Sequence, residues 1–301
     1  MRTAALLLLF AVGCGLAACD NEFSAKSEFK RKLVIFTVLD PQMEIQVVRL
    51  AWSYDAKLGV PPEPLTEVEV AEATVTIRQG GTAYAFRDTL MTSSDGRQVR
   101  VWCSRNLIPK ADTDYRLDIE IPTQPKLSTS LTSPSRMYVT AEAIKADTGD
   151  GWVRLHSGVL VYKVRPGGFY YRAWVVIGLR DNNTVTEYRA EVPIHTSANA
   201  EDWLYPSPQR EEELRLDARI VRYLAASLIG DADSVVSKKL FVKGYVMDGN
   251  LYSYYKIVHG FDDPVSTRLD KPDISFIDGA LGVFGVIIPD SASYQLSRFV
   301  K

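Results

Sequence analysis

Few side chains in this sequence are spaced for catalysis. The three histidines, His156, His195 and His259, show no ligand spacing such as His-Glu-x-x-His. His259 falls in the last turn of an expected helix, where the dipole favours a cation. Asp147-Thr148-Gly149-Asp150-Gly151 carries two carboxylates of a calcium loop. It lacks the third ligand spacing and the glutamate at the twelfth position, so it reads as a polar hairpin turn. Asp262-Asp263 and Glu211-Glu212-Glu213 offer adjacent carboxylates for glycoside hydrolysis, yet neighbours on a loop read as solvated surface. Gly-x-Ser-x-Gly, the phosphate loop and paired Cys-x-x-Cys are absent. No catalytic residue, metal site or cofactor is assigned, and the expectation is that the chain is not an enzyme. Two thiols remain. Val99, Val101 and Cys103 share one face of an expected strand, with Arg100 and Trp102 on the other, which makes Cys103 a small core residue. Cys19 is different.

Cys19 stands directly after Leu16-Ala17-Ala18, at the end of an uncharged apolar run from Ala4 that follows Arg2. About 15 residues are too few to cross a ~30 Å hydrocarbon core, and the run ends in small residues. It therefore reads as a secretory signal over residues 1–18. Leu16-Ala17-Ala18-Cys19 resembles the bacterial lipobox, in which the cysteine thiol is joined to diacylglycerol and the preceding peptide is removed. An ordinary signal peptide would instead leave Cys19 as an idle thiol. Lipidation predicts a membrane-anchored body on a polar tether, residues 19–32, since several acyl chains on one residue bind far more firmly than a single reversible one. Fully extended at ~3.3–3.6 Å per residue, that tether reaches roughly 40 Å.

The whole chain has 35 basic and 37 acidic side chains, and loss of the signal removes only Arg2 among them. Lys30-Arg31-Lys32 is too short a cluster to indicate nucleic acid. With Cys14 in the signal and Cys19 lipidated, Cys103 has no disulfide partner.

The body of the chain is expected to be mainly β. Leu33–Leu39 and Glu44–Trp52 read as strands, the first stopped by Asp40-Pro41. Glu67–Arg78 reads as one strand with a bulge at Glu72, and Gln79-Gly80-Gly81-Thr82 as a hairpin turn. Gln98–Cys103 and the alternation of Tyr115, Leu117, Ile119 and Ile121 complete an immunoglobulin-like β-sandwich over 33–122. The Ser/Thr/Pro-rich stretch 122–135 is the expected boundary. A second, larger β-sheet domain with one short covering helix follows at 136–301. Phe169–Leu179 is apolar on both faces, as a strand covered on both sides would be. Leu214, Leu216, Ala218 and Ile220 alternate as a strand. Leu251, Tyr254, Tyr255 and Val258 give the helix, capped by Asp248 and ended by Gly260. Gly279, Gly282 and Gly285 bracket Leu281, Val283 and Phe284, marking a strand that another backbone approaches closely.

The order of these last elements carries a resemblance. A helix with Tyr254-Tyr255, then Asp263-Pro264-Val265-Ser266, then Gly279 to Gly285 with Gly282-Val283-Phe284-Gly285 at its end, resembles the Bacteroidota lipoproteins of domain of unknown function 4249. The lipobox, Lys32–Phe36, Ala73–Ile77 and Tyr115–Ile119 fit as well, so the resemblance covers nearly the whole mature chain. The usual aromatic after Asp-Pro is Val265 here, and the glycine pair is Gly279-Ala280. The family is similar in setting to accessory lipoproteins of TonB-dependent outer-membrane receptors. The resemblance implies an outer-membrane lipoprotein acting as a non-catalytic binding partner of such a transporter, with Tyr254, Tyr255, Pro264, Gly279, Gly282, Phe284 and Gly285 as structural positions. A lipid-anchored hydrolase acting on glycans and a surface adhesin or pilus-like subunit are the alternatives. Trp203 and Tyr205, aromatics in the polar loop 197–210, are the candidate partner contacts.

Overall fold

The computed structural model describes residues 31–53, 68–92, 96, 98–146, 149–158, 163–196, 203–230, 234–259 and 275–298. The signal, residues 19–30 of the tether with Cys19, and the segment holding Asp262, Asp263 and Pro264 lie outside the described residues. The first half contains β1 (Leu33–Leu39), β2 (Gln46–Trp52), β3 (Val68–Glu69), β4 (Thr74–Gln79), β5 (Thr82–Thr92), β6 (Gln98–Ser104), β7 (Asp114–Glu120) and β8 (Leu127–Thr132). The second half contains β9 (Tyr138–Ala146), β10 (Gly149–Gly158), β11 (Gly168–Asp181), β12 (Thr184–Glu191), β13 (His195–Thr196), β14 (Trp203–Leu204) and β15 (Glu213–Asp217). Helix α1 (Ala218–Ile229), β16 (Val235–Met247), helix α2 (Gly249–His259) and β17 (Leu281–Gln295) complete it.

The first half is a sandwich of immunoglobulin-like pairing. One layer is β1-β2-β6 and the other β5-β4-β7-β8. Strand β5 joins them: its Thr82–Phe86 half pairs with β4, and Arg87–Thr92 pairs with β6. Alternation along the strands sends Ile35, Val48, Leu50, Val75, Ile77, Leu117 and Ile119 into the space between the layers. Trp102 is buried there too, its indole N–H donating to the Ala73 carbonyl at 3.0 Å. Tyr115, near the start of β7, forms a tyrosine corner: its hydroxyl accepts from the Lys110 N–H at 2.6 Å and donates to the Lys110 carbonyl.

Three local expectations change. The strand with a bulge at Glu72 is two strands in opposite layers, β3 on β2 and β4 on β5 and β7, because residues 70–73 carry the chain across. The Ser/Thr-rich boundary contains β8, which pairs with β7 from Asp114↔Thr132 to Ile119↔Leu127. Cys103 is half-buried and outside the core, its sulfur 3.3 Å from the Thr89 hydroxyl, since Trp102 takes the inward position.

The second half is built on the sheet β12-β11-β16-β17. Its inner face carries Tyr171, Ala173, Val175, Ile177, Leu240 and Val242, all buried. A smaller sheet, β15-β10-β9, packs on that face, with the Tyr294 hydroxyl donating to the Val139 carbonyl and the Val139 N–H donating to Asp290. Helix α1 was not expected. The alternation of Leu214 and Leu216 ends at Asp217, whose carboxylate accepts from the Arg219 N–H at 2.8 Å and caps the helix. Ile220, Val221 and Ala225 then face inward at helical spacing. The Arg219 side chain, outweighing burial, holds the Asp217 carboxyl below the usual carboxylate range. Strand β17 ties the halves together. Its Leu281–Val286 stretch pairs in parallel with β1, and Ile287–Gln295 pairs antiparallel with β16.

Candidate functional site

The outer face of β11 and β16 is where the apolar residues on both sides of Phe169–Leu179 find their explanation. Tyr170, Arg172 and Trp174 point away from the core, opposite Tyr245, Lys243 and Phe241 in register. No second layer of described residues covers them, so they stay half-buried. They cover one another instead. Tyr170 and Tyr245 stack at 5.6 Å, Trp174 and Phe241 meet at 5.6 Å, Arg172 lies 4.8 Å over Trp174 and Lys243 lies 5.0 Å over Tyr245. Glu191 on β12 holds the Arg172 guanidinium through two charge-assisted hydrogen bonds of 2.7 and 2.5 Å.

At the Tyr170–Tyr245 end this face opens into a cleft of about 620 Å³, within the usual range for ligand sites. Its walls come from four parts of the chain: Tyr170, Tyr245 and Ile287 from the sheet, Pro206 and Pro208 from the loop after β14, Tyr255 and Lys256 from α2, and Asp40 from the end of β1. Most of the wall is apolar, with phenol hydroxyls as donors and acceptors. Lys256 and Asp40 supply one charge of each sign. Burial pushes the phenols of Tyr170 and Tyr255 above the ordinary tyrosine range, and does the same to Tyr254.

The position of Tyr255 depends on how α2 is seated. Asp248, only 6 % exposed, accepts from the N–H groups of Asn250 and Leu251, satisfying two free donors at the helix start. Its other oxygen accepts from the Val286 N–H of β17 at 2.6 Å. One carboxylate thus fastens the helix to the strand. Leu251 and Tyr252 are buried beneath α2 with Met247 and Val283. Gly285 makes room for this packing, since a Cβ there would lie 2.7 Å from that of Leu251. Tyr254 packs on Phe36 of β1 at 5.8 Å and edge-on to Tyr255 at 6.3 Å.

The residues singled out from sequence fare differently. Tyr255 lines the cleft, whereas Tyr254 supports the helix on β1. Tyr205 is 52 % exposed and immediately precedes the cleft-lining Pro206. Trp203 belongs to β14, paired with Thr196, but its side chain lies outside the described residues, as does Pro264. Phe284 is buried, and Gly279 and Gly282 adopt positive φ. Sequence reading missed Tyr170 and Tyr245. Their signal was the aromatic on the second face of each strand, at Tyr170 and Trp174 in one and Phe241 and Tyr245 in the other. Among the described residues no group of three His, Cys, Asp or Glu side chains is placed to hold a metal ion.

The model of the family described as "Domain of unknown function (DUF4249)" matches residues 20–288. No curated protein matches the chain.

Proposed function

The chain belongs to the DUF4249 family, and we propose that it is a lipid-anchored binding protein of the outer membrane, a non-catalytic accessory partner of a TonB-dependent transporter. One observation carries this reading. The Tyr254-Tyr255 helix and the loop following Trp203 and Tyr205, far apart in sequence, converge on a single open cleft whose walls are largely aromatic and proline. Aromatic side chains in partly desolvated clefts are what protein interfaces use as anchors. The cleft also lies at the Asp40 end of β1, while the tether enters at Leu33. Seven residues at ~3.3 Å each separate cleft and tether by roughly 20 Å along the strand. Attachment through Cys19 would hold that cleft near other membrane proteins, where effective concentration favours weak contacts.

Two results are expected. Cys19→Ala should move the protein from the membrane fraction to the soluble fraction. Retention on membranes after a salt wash would mean that something other than lipid anchors it. Tyr205→Ala combined with Tyr255→Ala should lower co-purification of the transporter by at least about 30-fold, the scale of a 2 kcal/mol interface anchor. The circular dichroism spectrum should be unchanged, because neither side chain is fully buried. Unaltered co-purification, or turnover of a glycan or ester by the purified protein that a single Asp or Glu substitution abolishes, would overturn the reading.

A further inference from the structure

Strand β12 is the outermost strand of its sheet, paired on one side with β11. The Val192 N–H donates to the Ala173 carbonyl, which sets the parity of the ladder: even-numbered residues of β12 direct their backbone groups toward β11. Val185, Glu187, Arg189 and Glu191 therefore direct theirs outward, where no described strand meets them. Val185 and Tyr188 are 50 % and 47 % exposed, leaving a regular edge with apolar side chains on both faces. Such an edge is a template for another strand.

We infer that this edge pairs antiparallel with the same edge of a second copy, centred on Tyr188, to make one sheet through both molecules. Charge selects that occupant and that register. Outward-directed residues must face outward-directed residues, so permitted alignments differ by a two-residue change in the facing partner. Centred on Tyr188, Glu187 faces Arg189 of the second copy and Arg189 faces its Glu187, two opposite-charge pairs at once. Centred on Glu187, that residue faces its own copy. Centred on Arg189, two guanidinium groups meet and Glu187 faces Glu191. Centred on Ala190, Arg189 faces Glu191, but Arg172 already holds that carboxylate, and Pro193 falls opposite Glu187 with no N–H to donate. Like charges directly opposite are unfavourable, so the Tyr188-centred register is the complementary one that keeps the ladder. Within one chain Glu187 lies 3.4 Å from Arg189 and 3.6 Å from Lys239, but all three side chains are exposed and such pairs contribute little, so little holds them from the new pairing. Anchoring on one membrane would raise the effective concentration that such a modest edge contact needs.

Cross-linking in the native membrane tests this with the full-length chain. Tyr188 faces its own copy in a non-hydrogen-bonded pair, with Cα atoms about 4.5 Å apart, inside disulfide range. The Tyr188→Cys variant, treated with oxidised glutathione, should run at twice the monomer mass on a non-reducing gel. The unsubstituted chain sets the baseline for Cys103. Thr186→Cys, which faces Ala190 of the second copy, should stay monomeric, and adding Ala190→Cys should restore the dimer. Glu187→Arg in the Tyr188→Cys background should lower the dimer yield about tenfold, and adding Arg189→Glu should recover it. Failure of Tyr188→Cys to cross-link, equal cross-linking by Thr186→Cys alone, or indifference to the charge reversal would overturn the inference.

Discussion

Gly282→Ala should cost at least about 4 kcal/mol, enough to deplete folded protein at ordinary temperature. Two independent effects act at this residue. Its φ of +96° lies where an L side chain is strained, typically by about 1–3 kcal/mol. A Cβ would also run into the Ile35 carbonyl oxygen, which is backbone and cannot rotate aside. Ile35 faces Gly282 in the parallel β1–β17 ladder that joins the two halves, so relief of the clash would part the strands there. Gly279→Ala provides the comparison. Gly279 also has positive φ, at +82°, but a Cβ there meets open space. It should lose only the conformational part, about 1–2 kcal/mol. Urea denaturation of both variants separates the effects, and equal losses at the two positions would refute the close-approach argument.

Asp248→Ala should destabilise by about 3–5 kcal/mol and disturb the cleft. Its carboxylate accepts backbone N–H groups from Asn250, Leu251 and Val286, and each buried donor left unpaired costs about 1–3 kcal/mol, with partial overlap. Asp248→Asn keeps one acceptor oxygen, which can still cap the helix, but sets an amide against the Val286 N–H. About half the loss is expected. The pH dependence has a defined sign. Burial raises the Asp248 carboxyl above its ordinary value, outweighing the backbone donors of Val286, Leu251 and Asn250 that pull it down. The unfolded chain then loses this proton first as pH rises. Its contribution to stability declines from about pH 4, the unfolded carboxylate value, upward through the raised folded value. Asp248→Asn should lack that part of the pH profile in thermal melts. A profile parallel to that of the unsubstituted chain would show that Asp248 does not titrate in this window.

Local chemistry was legible wherever one short stretch decides it. The two-residue period of Tyr115–Ile121 and the Asp248 cap with its aromatic helix are each set by neighbours in sequence. Close approach at Gly282 was also readable, because little besides another backbone requires glycine among β-branched and aromatic residues. The identity of the approaching backbone was not. Ile35 lies far away in sequence and nothing local encodes a parallel pairing. Helix α1 was read as a strand because Leu214, Leu216, Ala218 and Ile220 alternate, and both periods fit so short a run. Asp217 settles it by capping, with Ile220, Val221 and Ala225 meeting the sheet. The cleft was half visible: Tyr255 and the loop of Tyr205 stood out, but Tyr170 read as covered core and Tyr245 drew no reading. A pattern of two apolar faces says that both faces bury area, not what buries it. Here the outer aromatics stack on one another and beneath Arg172 and Lys243, and only the tertiary arrangement of β11, β16, α2 and the 205–208 loop turns them into an open site.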